Sequence, residues 1–207
     1  MKEQTKAGPL RKDEDAELIA RCLAELPGKT DAYYELLQKY EGMVYSTCYR
    51  MLGSRQEAEE ACQDTFLRIF HKLYQFEGRA SFKTWMFRIA CNFCMTRRRK
   101  LATNRERKNK VGDEIVHNAE ETKRDALPGV PDNNAESVHE ALRDMKEEER
   151  EIITLRFISE LSLEEMAEIL DLKLSATKMR LYRAMEKFKK VYRNREALQK
   201  EAEDGKR

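Results

Sequence analysis

The sequence predicts an all-α protein: two small helical domains joined by a flexible linker, the C-terminal one containing a helix-turn-helix. Three observations carry that reading. Apolar residues recur at i, i+3 and i+4 along most of the 207 residues, whereas β-branched runs with period-two alternation do not occur. Charged residues make up 38% of the chain against 41% hydrophobic, a balance that suits small helical units with solvated outer faces better than one large sheet-centred core. Between residues 101 and 134 the periodicity fails, and Leu127-Pro-Gly-Val-Pro-Asp-Asn-Asn134 concentrates helix breakers.

The apolar spacing predicts helices near 13–26, 31–51, 55–73, 81–100, 135–144, 147–158, 162–170 and 175–195. The domains are therefore expected at 1–100 and 135–207, the latter ending in a polar tail, with 101–134 as the linker. No window of about 18 apolar residues occurs and the first 15 residues lack an apolar h-region. Neither a membrane span nor a signal peptide is expected, and a cytoplasmic location follows. The five cysteines, an odd number scattered through apparent helices, agree with a reducing compartment.

A formal net charge of +2 conceals strong segregation. Residues 96–110 hold eight Lys/Arg against one acid, and residues 173–195 hold nine against one, while acids collect at 13–17, 57–64 and 144–168. Two separated basic stretches in a near-neutral chain suit two contacts with a polyanion, although charge alone equally fits solvated helix faces.

In the C-terminal half, Ser162-Leu-Glu-Glu165 is a capping box that starts a helix with Leu163, Met166, Ala167 and Leu170 on one stripe. Asp171-Leu-Lys-Leu174 makes a short turn, and Ser175 is suited to cap the basic helix that follows. Helix, short turn and basic helix form the helix-turn-helix pattern. At 100° per residue, a buried face centred on Leu181 takes in Met185 and Phe188 and leaves Ala176, Met179 and Arg183 pointing away, with Arg180 and Tyr182 at the flanks. Such a face can pair guanidinium groups with guanine edges and lay Met179 or Ala176 on thymine methyls. Lys178, Lys187, Lys189 and Lys190 suit phosphates. A helical hairpin with a merely basic surface is the alternative.

In the N-terminal half, residues 55–70 carry an apolar stripe at Ala58, Ala61/Cys62, Thr65/Phe66 and Ile69, with Glu57, Glu60 and Asp64 together on another face. Like charges at that spacing repel by a few tenths of a kcal/mol per pair in an isolated helix, so the face suits a basic partner better than it suits stability. Next, Phe76-Glu-Gly-Arg-Ala-Ser-Phe-Lys-Thr-Trp85 is a loop opening into a helix at Ser81 and carries the only Trp. Aromatics beside basic residues can stack on unpaired bases, though Trp85 fits a core anchor better than a base contact. The helix continues through Arg88 and Asn92 to Arg97-Arg-Arg-Lys100, a basic end for tracking a backbone.

Cys91-Asn-Phe-Cys94 invites a metal reading, but structural zinc takes four ligands, and His71, His117 and His139 sit in no paired motif with it. The two cysteines read as small buried residues. No Ser/His/Asp grouping, Gly-rich phosphate loop or HExxH run occurs, so no catalytic centre, metal or cofactor is expected.

Read together, residues 13–100 and 135–193 resemble the extracytoplasmic-function subgroup of bacterial sigma factors. Glu57-Ala-Glu-Glu-Ala-Cys-Gln-Asp64 resembles the family's acidic helix for the polymerase β′ coiled coil. Phe82-Lys-Thr-Trp-Met-Phe-Arg-Ile-Ala-Cys-Asn92 resembles its reader of the −10 element, and 161–167 with 178–184 its −35 reader. The resemblance implies a non-enzymatic factor that binds core RNA polymerase through the β′ and β subunits, directs it to promoter DNA and traps unstacked −10 bases. An anti-sigma protein is a further partner the resemblance allows.

Carried over residue by residue, it assigns Glu57, Glu60, Gln63 and Asp64 to core polymerase. It assigns Phe76, Arg79, Ser81, Trp85, Arg88, Asn92, Arg97 and Arg98 to the −10 element, and Ser175, Ala176, Lys178, Met179, Arg180 and Arg183 to the −35 element. The chain departs from the family where Ser175-Ala-Thr177 replaces Gly-Thr-Val, where Met179 replaces a Ser, and where Lys146-Glu-Glu-Glu149 lacks a Pro. The rival reading is a stand-alone helix-turn-helix transcriptional regulator, whose N-terminal half senses a ligand or dimerises.

Overall fold

The computed structural model describes residues 14–111 and 134–204, with side chains placed for 14–103, 137–195 and 197. Eight α-helices and one short 3-10 turn occur among the described residues, and no strand. In chain order they are α1 (Ala16–Glu25), α2 (Asp31–Leu52), α3 (Arg55–Lys72), the 3-10 turn Leu73–Gln75, α4 (Phe82–Val111), α5 (Asn134–Arg143), α6 (Glu147–Phe157), α7 (Leu163–Leu170) and α8 (Leu174–Asp204). Each predicted helix is present, and apart from the C-terminal ends of α4 and α8 its ends lie within three residues of those expected.

Two helices run further than periodicity suggested. α4 continues through Val111 into the stretch read as linker, and α8 through Asp204 into the polar tail. Both extensions are rich in Arg, Lys, Glu, Ala and Leu, which favour the helix without needing an apolar face. The breaker run 127–134 lies almost wholly outside the described residues.

The N-terminal core forms where α2, α3 and α4 press their apolar stripes together. Leu36, Tyr40, Val44, Cys48 and Met51 of α2 meet Ala58, Ala61, Cys62, Phe66 and Ile69 of α3 and Phe82, Met86, Phe87, Ala90, Cys91 and Cys94 of α4. Small residues at 58, 61, 90, 91 and 94 let these helices approach closely. Each large side chain fully buried there contributes about 1.5–3 kcal/mol. Gly53 ends α2 in the left-handed region (φ 72°), its N–H donating to the Tyr49 carbonyl at 2.8 Å, so α3 can turn back at once. α1 lies on α2 through Ile19 and Cys22, and buried Asp15 accepts from Lys39 Nζ (2.5 Å) and the Tyr40 hydroxyl.

In the C-terminal half, Leu142, Met145, Ile152, Leu155, Leu161, Met166, Ile169, Leu181 and Ala184 make the core. The capping box forms as expected: Ser162 Oγ accepts from the Glu165 N–H (3.2 Å), and the Ser162 N–H donates to the Glu165 carboxylate (2.8 Å). At the Pro-less start of α6, the Glu149 carboxylate accepts from the Lys146 N–H (3.2 Å). Asp171 turns the chain between α7 and α8 in the left-handed region (φ 53°), where a short polar side chain is tolerated. The two halves are not held apart: α2 packs on α5 and α6, and α4 packs on α7, so their apolar interiors join into one continuous cluster.

Candidate nucleic-acid and partner interfaces

The Ser54 hydroxyl accepts from the Glu57 N–H (3.5 Å) and starts α3, whose stripe from Ala58 to Ile69 faces the core. That orientation leaves Glu57, Glu60 and Asp64 on the outer side with Gln63, which is exposed. The sequence suggested three mutually repelling carboxylates; instead, all three converge on the Arg97 guanidinium of α4. Arg97 Nη1 donates to Glu57 (3.0 Å) and Glu60 (2.7 Å), and Nη2 to Asp64 (2.7 Å). Desolvation works against the Arg97 charge, but the hydrogen bonds to Asp64, Glu60 and Glu57 outweigh it and hold its pKa above the usual value. The Glu60 carboxyl is held below its usual range by Arg97, with a smaller share from Gln56.

The loop before α4 gathers Phe76, Phe82 and Trp85. Trp85 lies 5.5 Å from Phe76 and 6.0 Å from Phe82 between ring centroids, half-buried against the core, which is the anchor arrangement. Arg79 is exposed, 2.5 Å from the Glu77 carboxylate. Ser81 caps α4 by accepting from the Thr84 N–H (3.1 Å), and Asn92 is exposed one face further along.

α7 lies against Ser81, which is partly covered, and engages Arg88, whose side chain keeps 45% of its surface. Glu165 Oε1 accepts from Ser81 Oγ (3.1 Å) and Thr84 Oγ1 (2.9 Å) while its other oxygen caps α7. Arg88 donates to the Glu168 carbonyl and stands 3.8 Å from its carboxylate. The seam continues through Lys83–Glu160 (3.8 Å), Arg98–Glu147 (3.7 Å), Thr47 with Ser159 (3.0 Å), and a Tyr49–His139 stack with centroids 4.4 Å apart. Burial, then Arg50, Arg143 and Arg150, push the His139 pKa down to about 4, so the ring is neutral at pH 7. Although burial opposes ionisation of Glu165, the hydrogen bonds from Ser162, Thr84 and Ser81 prevail and hold its pKa below the usual value.

On α8 the wheel derived from Leu181 holds. Leu181, Ala184 and Thr177 are buried, and Met185 and Phe188 pack on the core. Ser175, Ala176, Lys178, Met179, Tyr182 and Arg183 are exposed, Met179 at 51% and Tyr182 at 64% despite their apolar bodies. Arg180 turns back: it donates to the Glu148 carbonyl (3.1 Å) and lies 3.5 Å from the buried Glu151 carboxylate. Arg98, likewise, sits half-buried against Glu147. Thr84, the second role of Glu165 and the Arg97 clamp escaped the sequence reading, since each depends on how helices far apart in the chain come together.

Cys91 and Cys94 lie in the core with the other three thiols. A hydrogen bond from the Cys48 S–H to Cys94, then burial, push the Cys48 thiol up; burial pushes Cys62 up to about 12 and Cys22 to about 11. Such thiols stay protonated and unreactive at neutral pH. Among the described residues no group of three His, Cys, Asp or Glu side chains is placed to hold a metal ion, and no helix is long and apolar enough to cross a membrane.

Comparison with known proteins agrees with this geometry. Residues 36–103 match the family described as Sigma-70 region 2, and residues 135–188 match Sigma-70, region 4. The chain is 30% identical over 175 residues to the ECF RNA polymerase sigma factor SigW of Bacillus subtilis, covering 81% of this chain and 92% of that one. It is 26% identical over 190 residues to the RNA polymerase sigma-H factor of Pseudomonas aeruginosa, covering 88% and 95%. In fold it resembles CnrH, solved in complex with the cytosolic domain of CnrY (TM-score 0.60, 22% identity, 86% of this chain and 97% of that one). It also resembles the Bartonella quintana sigma factor RpoE, solved with the anti-sigma factor NepR (TM-score 0.58, 21% identity, 80% and 98%). Two matched regions in the family's order, on helices that present an acidic face and a basic recognition helix, lead to one conclusion: the chain belongs to the extracytoplasmic-function sigma factors, which direct RNA polymerase to promoters.

Proposed function

We propose that this sigma factor works by binding alone, in the cytoplasm, through three separate surfaces. Residues 1–100 form a unit whose α3 face (Glu57, Glu60, Gln63, Asp64) docks on a basic surface of core polymerase, with β′ and β as the contacted subunits. Phe76, Arg79, Ser81, Arg88 and Asn92 of the same unit engage unpaired −10 bases, with Trp85 anchoring the loop that presents them. Residues 135–207 form the second unit, whose α8 reads the −35 element. Residues 101–134 span the two, α4 contributing its extension to the near end.

The observation that carries this reading is the outward face of α8. Six residues from Ser175 to Arg183 are exposed together on a helix whose opposite side is locked into the core. An exposed Met, a Tyr and an Arg on a basic helix are costly ornaments for a structural hairpin and natural for a major-groove reader. The Ser81 and Arg88 contacts with α7 support a further step: the halves part before the −10 surface meets DNA, and Ser81, Thr84 and Arg88 then exchange protein partners for nucleic acid. An anti-sigma protein, such as the partner of the Bartonella relative, acts on this reading by keeping docking surfaces covered.

Binding to a promoter duplex with and without core polymerase tests the proposal. Weak, salt-sensitive binding alone that becomes tight and sequence-specific with core is expected. Tight binding alone, as a dimer on half-sites one helical turn apart, overturns it in favour of a stand-alone regulator.

A further inference from the structure

We infer that Arg97 is a positioning residue for the acidic docking face, not a contact to promoter phosphates. The inference rests on the docking reading of Glu57, Glu60 and Asp64. It reassigns an arginine that the basic run 97–100 places, by sequence alone, with the DNA contacts.

The geometry is specific to arginine. One guanidinium, through Nη1 and Nη2, holds three carboxylates from successive turns of α3 at 3.0, 2.7 and 2.7 Å. A planar fork can reach three acceptors in fixed directions, whereas an ammonium is a single point of charge. The Arg97 side chain is only 19% exposed and its Nε is buried, so it cannot reach a phosphate without abandoning all three carboxylates. The Glu60 and Asp64 side chains keep 46% and 42% of their surface, leaving lone pairs open to a partner's cations from the outer side. Arg99 and Lys100, next along α4, are exposed and remain available for a nucleic-acid backbone.

The consequence is pre-organisation. Without Arg97, like charges one turn apart spread their side chains over several rotamers, and a partner has to order them on arrival. With it, three acids against one base leave the face acidic while their carboxylates already stand in one array. This predicts a sign opposite to that of simple charge. Removing a cation makes the face more acidic and should quicken encounter with a basic surface; losing the array should shorten the life of the complex.

The test uses full-length Arg97→Gln and Arg97→Lys with immobilised, sigma-free core polymerase, reading association and dissociation separately. Arg97→Gln should dissociate about tenfold faster without slower association, and Arg97→Lys should fall between it and the parent. For both, the salt dependence of holoenzyme binding to promoter should be unchanged. Parent-like dissociation of Arg97→Gln with a salt slope reduced by about one overturns the inference and assigns Arg97 to a phosphate. Should Arg97→Gln unfold, Arg97→Lys, which keeps the charge, carries the test, and parent-like dissociation overturns the inference. Glu60→Lys with Asp64→Lys runs alongside: if that pair leaves core binding intact, the docking reading itself fails. If it abolishes core binding while Arg97→Gln changes nothing, only the role of Arg97 fails.

Discussion

Thr84→Val removes one hydroxyl from the seam between α4 and α7 while keeping the side chain's shape. Its buried Oγ1 donates to Glu165 (2.9 Å) and lies 2.7 Å from Ser81 Oγ. Glu165→Ala removes the acceptor, and with it the cap on the Ser162 N–H, which alone costs about 1 kcal/mol. A hydrogen bond to a charged group contributes about 1.5–3 kcal/mol, but Glu165 is only half-buried and Ser81 shares the network, so the Thr84–Glu165 share should be about 1 kcal/mol. The cycle of parent, two single variants and the double variant isolates it, because the cap and the Ser81 contact cancel. Urea unfolding of the four proteins should show the double variant losing about 1 kcal/mol less than the sum of the singles, on coincident transitions by two probes. A weakening of that size raises the open population about fivefold, so the Thr84→Val protein should assemble with core polymerase measurably faster. Strictly additive losses would show that α4 and α7 do not meet in solution, and the closed seam would be wrong.

Acid should loosen the same seam. The Glu165 pKa is depressed in the folded chain, so its contribution is fully present above the ordinary value of about 4.3 and is lost as pH falls through the lower folded value. Buried Glu151, raised chiefly by desolvation, runs the other way, so the Glu165 share is read as the difference between the parent and Glu165→Gln in urea midpoints from pH 7 to pH 3; parallel curves would exclude it. Arg183→Ala should weaken discrimination at one −35 position by about 1–3 kcal/mol, measured by competition between promoter variants in holoenzyme; an equal loss on every sequence would make it a phosphate contact. Glu60→Lys with Asp64→Lys should lower affinity for core at least tenfold in a binding titration, in line with juxtaposed like charges costing several kcal/mol; an unchanged affinity would remove α3 from the docking account.

What was legible in the sequence follows the range of the interaction. The Ser162 capping box, the outward placement of Met179 and Arg183 and the core placement of Leu181 rest on neighbours within two helical turns, and all appear as expected. The end of α4 was misplaced because periodicity was the guide, and residues 101–111 hold a helix by backbone propensity without an apolar face. Arg97 and Glu165 were opaque for another reason. Arg97 meets carboxylates 33 to 40 positions away, and Glu165 meets hydroxyls 81 and 84 positions away, so their partners depend on packing that no local pattern encodes. Arg98 and Arg180, assigned by the resemblance to the −10 and −35 elements, likewise turn to Glu147 and to Glu148 and Glu151 where those helices dock.

Run-off transcription from a promoter matched to the α8 reader tests the central claim most directly. Core polymerase alone should give no specific transcript, and adding the purified chain should start transcription at one position, abolished by scrambling either the −10 or the −35 element. A chain that binds the duplex tightly but leaves core polymerase silent at every such promoter would contradict the account.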